Sequence, residues 1–260
     1  MRTRIIYEDD VLLVIDKPAG LATQSARVTQ QDVYSELTNY LHGGYVGLVH
    51  RLDQPVEGLL VVARTKQAAA FLAAQLGSGK LTKEYLAVVH LLAPGSASAE
   101  GAGERPQERQ SIGTVITLTD YMRKNNQTGR MEILDVTGKS LPAGTQKAIL
   151  SYRIVEEKSP LALVCVSLQT GRFHQIRAQM AHAGMPLLGD QKYAPEETKQ
   201  LCAQHQVKYV ALCANRLSLI HPVTKQTMHF EKKPDGAIFH TFSCLQEENA
   251  TSISDKMCPE

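Results

Sequence analysis

Six short apolar segments recur along the chain, each rich in β-branched residues and bounded by glycine, proline or charged residues. Segments of this length and composition are typical of strands. They comprise residues 11–15, 46–49, 59–63, 85–91, 149–155 and 161–168. Several follow one another with no helix between them, which favours an α+β fold with a mixed, mostly antiparallel sheet over alternating β-α-β units.

Three further segments have the composition and the end signals of helices, and we expect them to flank the sheet. They comprise residues 67–76, 174–183 and 196–205. The first ends at Gly77, and the second ends at Gly184 with Pro186 beyond it. Glycine after the last helical residue and proline further on are signals that stop a helix.

The composition excludes several classes of protein. With 43% apolar residues among 260, the chain can bury a substantial core and is not a disordered protein. Its 28 Lys and Arg against 26 Asp and Glu give a formal charge of only +2, too small for a polycationic coat on nucleic acid. Tryptophan is absent and aromatic residues make up 5%, which argues against broad stacking surfaces for single strands.

Location and cofactors are constrained mainly by missing patterns in the sequence. No apolar run approaches the roughly 18 residues of a membrane span, and residues 1–7 lack a signal-peptide core, so we expect a cytoplasmic protein without a membrane partner. The five cysteines are widely spaced and never form C-x-x-C, which favours reduced thiols. No nucleotide-binding loop or metal-ligand cluster is visible, so we expect no cofactor and no metal.

Polar stretches interrupt the strand pattern at residues 93–110 and 120–147. The first is rich in proline and glycine and predicts a flexible excursion. The second contains a polar loop with Arg123, Lys124 and Arg130 and no acid. This loop is either a solvated hairpin tip or a phosphate contact, because lysine and arginine release counterions from a nucleic-acid backbone.

Three positions are candidates for chemistry on their residue types. Asp53 lies in a polar turn between apolar strands, where a carboxylate either caps the turn or has a function. Tyr85 enters a strand just after charged residues and is either packed or part of a site. His174 and Arg177 fall near the N-terminal end of a helix, where they are either solvated basic residues or part of an anion site.

The motifs around these positions occur in a recognisable order. The chain has D-K-P-A-G at residues 16–20, H-R-L-D at 50–53, K-E-Y at 83–85, T-G-R-F-H-Q-I-R at 170–177, G-D-x-x-Y at 189–193 and H-P at 221–222. In wording and order they resemble the pseudouridine synthases of the RluA class, which isomerise uridine in ribosomal or transfer RNA. The resemblance covers residues 5 to about 230.

The resemblance implies the pseudouridine synthase fold with a central active-site cleft, and it implies roles for single residues. Asp53 matches the catalytic aspartate, Tyr85 the tyrosine that packs on the target base, and Arg177 the basic residue paired to the aspartate. Arg51 matches an arginine that in some members enters the space left by the extruded base. Further RNA contacts are expected from polar motif residues and the basic loop: His50, Arg172, His174, Arg123, Lys124 and Arg130.

The implied reaction breaks the bond between ribose C1′ and uracil N1, rotates the base and rejoins it through C5, without a redox cofactor or metal. Asp53 either attacks the sugar or removes the C2′ proton, and Tyr85 is the candidate for removing the C5 proton, directly or through water. The target uridine is expected to be extruded from its stack. We expect ribosomal or transfer RNA as the partner of a monomer.

We expect residues 1–245 to form a single catalytic domain without the S4-like RNA-binding domain that several relatives carry at the N-terminus. Residues 246–260 have almost no core-forming side chains and predict a flexible tail. The tail's four acids and one lysine contribute −3 to the total of +2, which leaves a moderately basic +5 on the rest of the chain.

One motif departs from the family pattern. After the aspartate the family usually has x-x-T-S-G, whereas this chain has Val56 and Glu57 before Gly58. Glu57 either repels Asp53 and raises its pKa or points outward to a basic neighbour such as Arg51. This departure keeps open a catalytically impaired RNA-binding or RNA-remodelling relative, and a hydrolase with Glu57 as second carboxylate. The stretch at 232–235 is also only a loose match to the family's C-terminal strand.

Overall fold

The structure, a computed structural model, describes residues 1–25, 30–93, 111–135 and 141–246. The chain divides into two compact units. The first unit comprises Met1–Tyr85 with Leu212–Asp235, and the second comprises Leu86–Ala211 with Gly236–Glu260. Most of the predicted excursion, residues 94–110, and of the predicted tail, residues 247–260, lies outside the described residues, and the single catalytic domain stays a prediction.

Eleven strands and four α-helices make up the described regular structure, together with two short 3-10 helices at Ala237–Thr241 and Ser243–Leu245. The strands are β1 (Arg4–Glu8), β2 (Leu12–Lys17), β3 (Gly47–Leu48), β4 (Glu57–Ala63), β5 (Thr82–His90), β6 (Ile116–Asn125), β7 (Arg130–Leu134), β8 (Gln146–Lys158), β9 (Leu161–Leu168), β10 (Leu212–Ile220) and β11 (Thr227–Glu231). The helices are α1 (Val33–Tyr40), α2 (Lys66–Gly77), α3 (Gln175–His182) and α4 (Glu196–Gln204).

The first unit is built on strands in the order β1-β2-β4-β10, with β3 on β4 and β11 on β10. All of these pairs are antiparallel except β4 with β10, which is parallel. Every residue of β4 is buried, because the strand lies between neighbours and has both faces covered. On one face, Leu59 and Val61 pack with Ala68 and Leu72 of α2. The buried Gln75 of the same helix exchanges two hydrogen bonds with the backbone of Ile220 in β10.

Gly58 is required by the close approach of β4 to β10. Its φ is +125°, and a Cβ there would lie 2.4 Å from the backbone oxygen of Ala214 and 2.5 Å from its nitrogen. Both the backbone conformation and the space exclude a side chain, since the obstructing atoms are backbone and have little room to move. This explains the glycine of the motif physically, independent of any role in chemistry.

Replacing Gly58 with alanine is expected to lower the free energy of unfolding by about 3 kcal/mol, measured by urea denaturation. Gly77 at the end of α2 is a matched control, since a Cβ there meets no atom within 4 Å. Alanine at Gly77 should stabilise the protein by about 0.5–1 kcal/mol because it removes backbone freedom from the unfolded chain. Equal effects of the two substitutions would contradict the role assigned to Gly58.

In the second unit the strands follow the order β5-β9-β8-β6-β7, and the pairs β9/β8, β8/β6 and β6/β7 are antiparallel. Met122 of β6 and Met131 of β7 pack with Ala178 of α3, which holds that helix against the hairpin of β6 and β7. The predicted α+β fold with a mixed, mostly antiparallel sheet is therefore confirmed. The central cleft stays a prediction.

All six predicted strands and all three predicted helices occur, with ends shifted by at most three residues. The expectation of a purely polar break at residues 120–147 was wrong in its described part, since β6 runs to Asn125, β7 starts at Arg130 and β8 starts at Gln146. The basic loop is the tip of this hairpin. Helix α1 was not predicted, although Asp32 and Ser35 form a capping box at its start.

Candidate active site

The H-R-L-D turn is held in place by backbone and side-chain contacts within the first unit. The Thr23 hydroxyl donates to the carbonyl oxygen of Leu52 at 2.8 Å and accepts from its N–H at 3.1 Å. The N–H of Val56 donates to the carbonyl oxygen of Asp53 at 3.0 Å and closes a tight turn. The half-buried Asp53 therefore sits on a backbone that is fixed on both sides.

Lys17 lies fully buried beside this turn. Its Nζ donates to the carbonyl oxygens of Leu21 at 2.7 Å, Pro18 at 3.1 Å and Gln54 at 3.2 Å. Burial lowers the pKa of Lys17 to about 7, and the negative charges of Asp53 and Glu57 act against that shift. Lys17 thus joins the D-K-P-A-G segment to the residue after Asp53, and its ammonium interacts electrostatically with the Asp53 carboxylate.

Tyr85 is buried in β5 at the end of the first unit. Burial raises the pKa of its phenol, and the negative charge of Asp53 raises it further. The hydroxyl is therefore protonated at neutral pH, which disfavours a phenolate base in the protein without substrate. The electrostatic effect also indicates that Asp53 and Tyr85 lie near each other.

The first two residues of the H-R-L-D motif, His50 and Arg51, lie in different environments. His50 is buried, and its Nε2 accepts the N–H of Val61 in β4 at 3.3 Å. Burial and the nearby Lys83 lower the pKa of His50, so the imidazole is neutral. Arg51 is exposed and donates through Nη2 to the carbonyl oxygen of Gln24 at 3.1 Å. That His50 and Arg51 contact RNA stays a prediction. The structure shows in addition that the His50 side chain is hydrogen-bonded to the backbone of β4.

Glu57 is buried and bound to a lysine that the sequence analysis did not pair with it. Lys232 Nζ lies 3.3 Å from Glu57 Oε2, 2.8 Å from Asp16 Oδ1 and 2.9 Å from Asp235 Oδ2. The backbone N–H of Asp235 also donates to Glu57 Oε2 at 3.0 Å. The interpretation that Glu57 points outward was therefore wrong, because its carboxylate lies inside the unit, and the basic neighbour that the structure shows beside it is Lys232.

The charge state of Lys232 follows from the groups that surround its ammonium. Burial acts to lower the pKa of Lys232, but Cys213 and the carboxylates of Asp16, Asp235 and Glu57 act together to raise it above its usual value. The ammonium therefore stays charged. Among the described residues, the two departures from the family pattern, at Glu57 and at residues 232–235, are contact partners of each other.

Arg177 lies in the second unit and forms a buried bidentate ion pair. Its Nε donates to Asp190 Oδ2 at 2.7 Å and its Nη2 to Asp190 Oδ1 at 2.8 Å. Asp190 also accepts the backbone N–H groups of Lys192 and Tyr193. The alternative of two solvated basic residues on α3 was wrong, since Arg177 and His174 are both buried. The pairing of Arg177 with Asp53 stays a prediction.

The T-G-R-F-H-Q-I-R turn is closed by its own side chains. Gln175 Oε1 accepts the N–H of Arg172 at 2.9 Å and the hydroxyl of Thr170 at 2.8 Å. His174 precedes α3 in a left-handed conformation with φ 51°, and its Nδ1 lies 2.9 Å from the hydroxyl of Tyr193. The structure thus brings the 170–177 motif and the 189–193 motif together through two contacts, Arg177 with Asp190 and His174 with Tyr193.

The three cations of the basic hairpin have different neighbours. Arg123 lies 3.4 Å from Glu132, an acid supplied by the opposite strand β7. Lys124 Nζ lies 5.3 Å from the ring centre of Phe173, and the Arg130 guanidinium lies 5.9 Å from that of Tyr193. Lys124 and Arg130 are exposed, as is Arg172, whose Nε donates to the carbonyl oxygen of Lys147 at 3.1 Å.

Two buried lysines were missed as functional candidates from the sequence. Lys17 ends strand β2, where it follows the apolar run 12–15 and Asp16 and directly precedes a proline, and charged residues at the end of such a strand are a signal that their side chains have buried partners. Lys232 carried no such signal, because it stands beside the exposed Lys233 in a polar stretch. Its partner Glu57 lies 175 residues away in the sequence.

Comparison with known proteins agrees with these motifs. A sequence profile of the family described as RNA pseudouridylate synthase matches residues 11–182, a span that includes the H-R-L-D, K-E-Y and T-G-R-F-H-Q-I-R motifs. The chain belongs to the RNA pseudouridylate synthase family. Members of this family are isomerases, and the predicted family resemblance is confirmed.

Curated relatives of this family member include two bacterial enzymes. Ribosomal large subunit pseudouridine synthase D of Pseudomonas aeruginosa is 33% identical over 96% of this chain and 73% of its own length. Ribosomal large subunit pseudouridine synthase C of Yersinia pestis is 30% identical over 95% of this chain and 70% of its own length.

Among solved structures, human RNA pseudouridylate synthase domain containing 1 has the same fold. It superposes with a TM-score of 0.66 at 20% identity, over 89% of this chain and 83% of its own. Human RNA pseudouridylate synthase domain containing 4 superposes with a TM-score of 0.63 at 22% identity, over 89% of each chain. At this level of identity the likeness shows the fold alone.

Neither a membrane-spanning helix nor a cluster of metal-ligating side chains occurs among the described residues of this pseudouridine synthase family member. No described helix is both long enough and apolar enough to cross a membrane. Within the same residues, no group of three or more His, Cys, Asp or Glu side chains is arranged to hold a metal ion.

Proposed function

We propose that the protein isomerises a specific uridine of ribosomal or transfer RNA to pseudouridine, with Asp53 as the catalytic carboxylate. The observation that carries this proposal is the position of Asp53 on a turn fixed by Thr23 and Lys17, from which its negative charge adds to the effect of burial in raising the pKa of Tyr85. A carboxylate held in this way keeps its orientation without help from the substrate, which is what a group acting on one sugar atom requires. The ribosomal substrates named for the curated relatives support ribosomal RNA as the first candidate.

The proposed chemistry begins with extrusion of the uridine, because N1 and C1′ are hidden in a stacked helix. Asp53 then either attacks C1′ or removes the proton from C2′, and in both routes the bond between C1′ and N1 breaks. The detached uracil rotates and its C5 bonds to C1′; in the first route this displaces the Asp53 carboxylate from C1′, and in the second the proton returns to C2′. The proton that C5 carried leaves to a base, and N1 takes up a proton. No atom of the RNA is lost or gained apart from this exchange of protons.

Tyr85 is proposed to pack against the target base. Its high phenol pKa supports packing over direct proton removal, since a protonated hydroxyl cannot accept the C5 proton. Removal of that proton through water remains compatible with the buried ring. Arg177 is proposed, from the family resemblance, as the basic residue paired to Asp53. The exposed side chain of Arg51 suits the proposed entry into the space left by the base.

RNA contacts are proposed for seven residues: His50, Arg51, Arg172, His174, Arg123, Lys124 and Arg130. The exposure of Arg51, Arg172, Lys124 and Arg130 supports direct phosphate contact. Monomeric state and a cytoplasmic location stay predictions.

The alternative function, a catalytically impaired relative that binds RNA, was considered mainly because of Glu57. The carboxylate of Glu57 is bound by Lys232 and by the N–H of Asp235.

The proposal is tested with the full chain and RNA whose uridines are tritiated at C5, since tritium leaves only when C5 forms the new glycosidic bond. Ribosomal and transfer RNA from a strain lacking this protein are incubated separately, and pseudouridines are then mapped in both. We expect tritium release from one of the two pools and one new pseudouridine position in it. Release from neither pool would reject the synthase proposal and leave RNA binding alone.

A further inference from the structure

Phe173 stands in the turn between β9 and α3, at the variable position of the family motif T-G-R-x-H-Q-I-R. Its side chain is 47% exposed, which is unusual for a phenylalanine beside a buried helix start. A single exposed ring is not by itself a binding site, so its surroundings decide what it does.

The ring of Phe173 is held in a fixed position by a buried stack. It lies on the His174 imidazole with ring centres 3.7 Å apart and an interplanar angle of 21°. His174 is buried, and its Nδ1 contacts the Tyr193 hydroxyl, which accepts the N–H of Met131 at 2.8 Å. Because the supporting side chains are already ordered, a ligand that stacks on the ring loses little further conformational entropy.

The Lys124 ammonium lies over the ring of Phe173, and two further cations belong to the same turn or contact the neighbouring hairpin. Since His174 covers one face, the Lys124 ammonium, 5.3 Å from the ring centre, lies toward the other face. Arg172 is exposed in the same turn. Lys192 Nζ lies 3.3 Å from the carbonyl oxygen of Gly129, which is at the tip of the adjacent hairpin of β6 and β7. The nearby acid Glu132 is engaged by Arg123 and Asn125.

The hairpin and the turn form one surface, because both are packed on the same small core. Met122 and Met131 of the hairpin contact Ala178 of α3 and the ring of Tyr193. The positions of Lys124 and Lys192 relative to Phe173 are therefore set by the fold. A flat apolar ring bordered by ammonium and guanidinium groups is complementary to a nucleobase with its flanking phosphates.

We propose that Phe173 is a stacking platform for an unpaired base of the RNA substrate, with Lys124, Arg172 and Lys192 binding the adjacent phosphates. The incoming base takes the place of the Lys124 ammonium over the ring, and the ammonium moves to a phosphate or a base oxygen. The inference rests on the proposed function, since it assumes an RNA partner, and it adds a residue that contacts a base other than the target.

A tryptophan at position 173 gives a direct readout, because the natural chain contains none. In the full-length Phe173→Trp variant, addition of an oligouridylate of about ten nucleotides at low ionic strength should quench the fluorescence through stacking. Tyr209 is a matched control site in the same unit, 37% exposed with Lys208 Nζ 5.4 Å from its ring centre. The Tyr209→Trp variant should not be quenched. Equal quenching at both sites, no quenching at 173, or equal quenching by polyglutamate would overturn the proposal.

Affinity measurements separate stacking from simple apolar contact. Phe173→Ala and Phe173→Leu should both bind the oligouridylate at least about fivefold more weakly than wild type, whereas Phe173→Trp should bind as tightly. Full affinity in Phe173→Leu, or an equal loss in Tyr209→Ala, would overturn the platform. Tritium release by the wild-type protein distinguishes the two proposals. If the wild type releases tritium but Phe173→Ala binds the oligouridylate with unchanged affinity, only the stacking platform is rejected. If the wild type releases no tritium, the synthase proposal is rejected.

Discussion

Replacement of Asp53 by asparagine is expected to reduce tritium release from C5-labelled RNA by at least about 100-fold under single-turnover conditions. Asparagine keeps the size and shape of the side chain, so the contacts of the turn through Thr23, Lys17 and Val56 should persist. What it removes is the negative charge and the lone-pair basicity that both candidate routes at the sugar require. The loss should therefore fall on the chemical step and leave RNA affinity within a fewfold of wild type.

The matched control for this substitution is Asp10→Asn, the same change at an exposed acid of the first unit. It should release tritium at the wild-type rate. Urea unfolding of both variants checks that neither change disturbs the fold. Wild-type release from Asp53→Asn, or an equal reduction in Asp10→Asn, would remove Asp53 from its proposed role while leaving the synthase function itself open to another carboxylate.

Replacement of Lys232 by methionine is expected to lower the free energy of unfolding by about 3–5 kcal/mol. The methionine fills a similar volume but removes the ammonium 3.3 Å from the buried Glu57, and it leaves the buried Asp16 with only one of its two cations, the largely exposed Arg4 at 2.8 Å. Buried carboxylates that lose their cation must either stay charged at a high desolvation cost or take up a proton. The urea midpoint should therefore fall at neutral pH, and it should recover in part at acidic pH, where protonation removes the buried charges.

Two further variants isolate the ion cluster. Lys233→Met changes the neighbouring exposed lysine and should alter stability by less than about 0.5 kcal/mol. Glu57→Ser introduces the family's usual residue, and combining it with Lys232→Met should cost less than the sum of the single changes, because the double variant no longer contains an uncompensated Glu57. Additive effects, or equal effects at Lys232 and Lys233, would mean that the contacts do not act as a coupled set.

Strand positions were predictable because the apolar runs are short, β-branched and sharply bounded, and β9 matches its predicted bounds of 161–168 at both ends. The first half of β6 and the start of β8 alternate between buried and more exposed residues, as expected for strands with one solvated face, and the C-terminal end of β8 is polar, so neither region gave a continuous apolar run. Helix α1 buries only a narrow stripe of three residues, Val33, Glu36 and Leu37, and one of them is an acid. The capping residue Asp32 was therefore a better indication of this helix than its pattern of apolar residues.

The candidate site was predictable only at residues whose type and local sequence position suggest chemistry. Asp53 and Tyr85 stood out because a carboxylate in a turn and a tyrosine at a strand start each suggest chemistry beside an apolar core. The partners that determine their surroundings come from distant positions: Lys17 reaches the backbone beside Asp53, and Lys232 reaches Glu57 across 175 residues. Long-range ion pairs of this kind have no local signature, so one sequence cannot specify them.

The contact between Glu57 and Lys232 has unequal importance for its two members. Lys232 has Asp16 and Asp235 as partners besides Glu57, so its ammonium keeps two carboxylates when position 57 carries a neutral residue. The buried Glu57, by contrast, depends on Lys232 for an ammonium 3.3 Å from its carboxylate. Position 57 is therefore expected to tolerate an acid only while position 232 carries a cation, whereas position 232 tolerates a lysine with or without that acid.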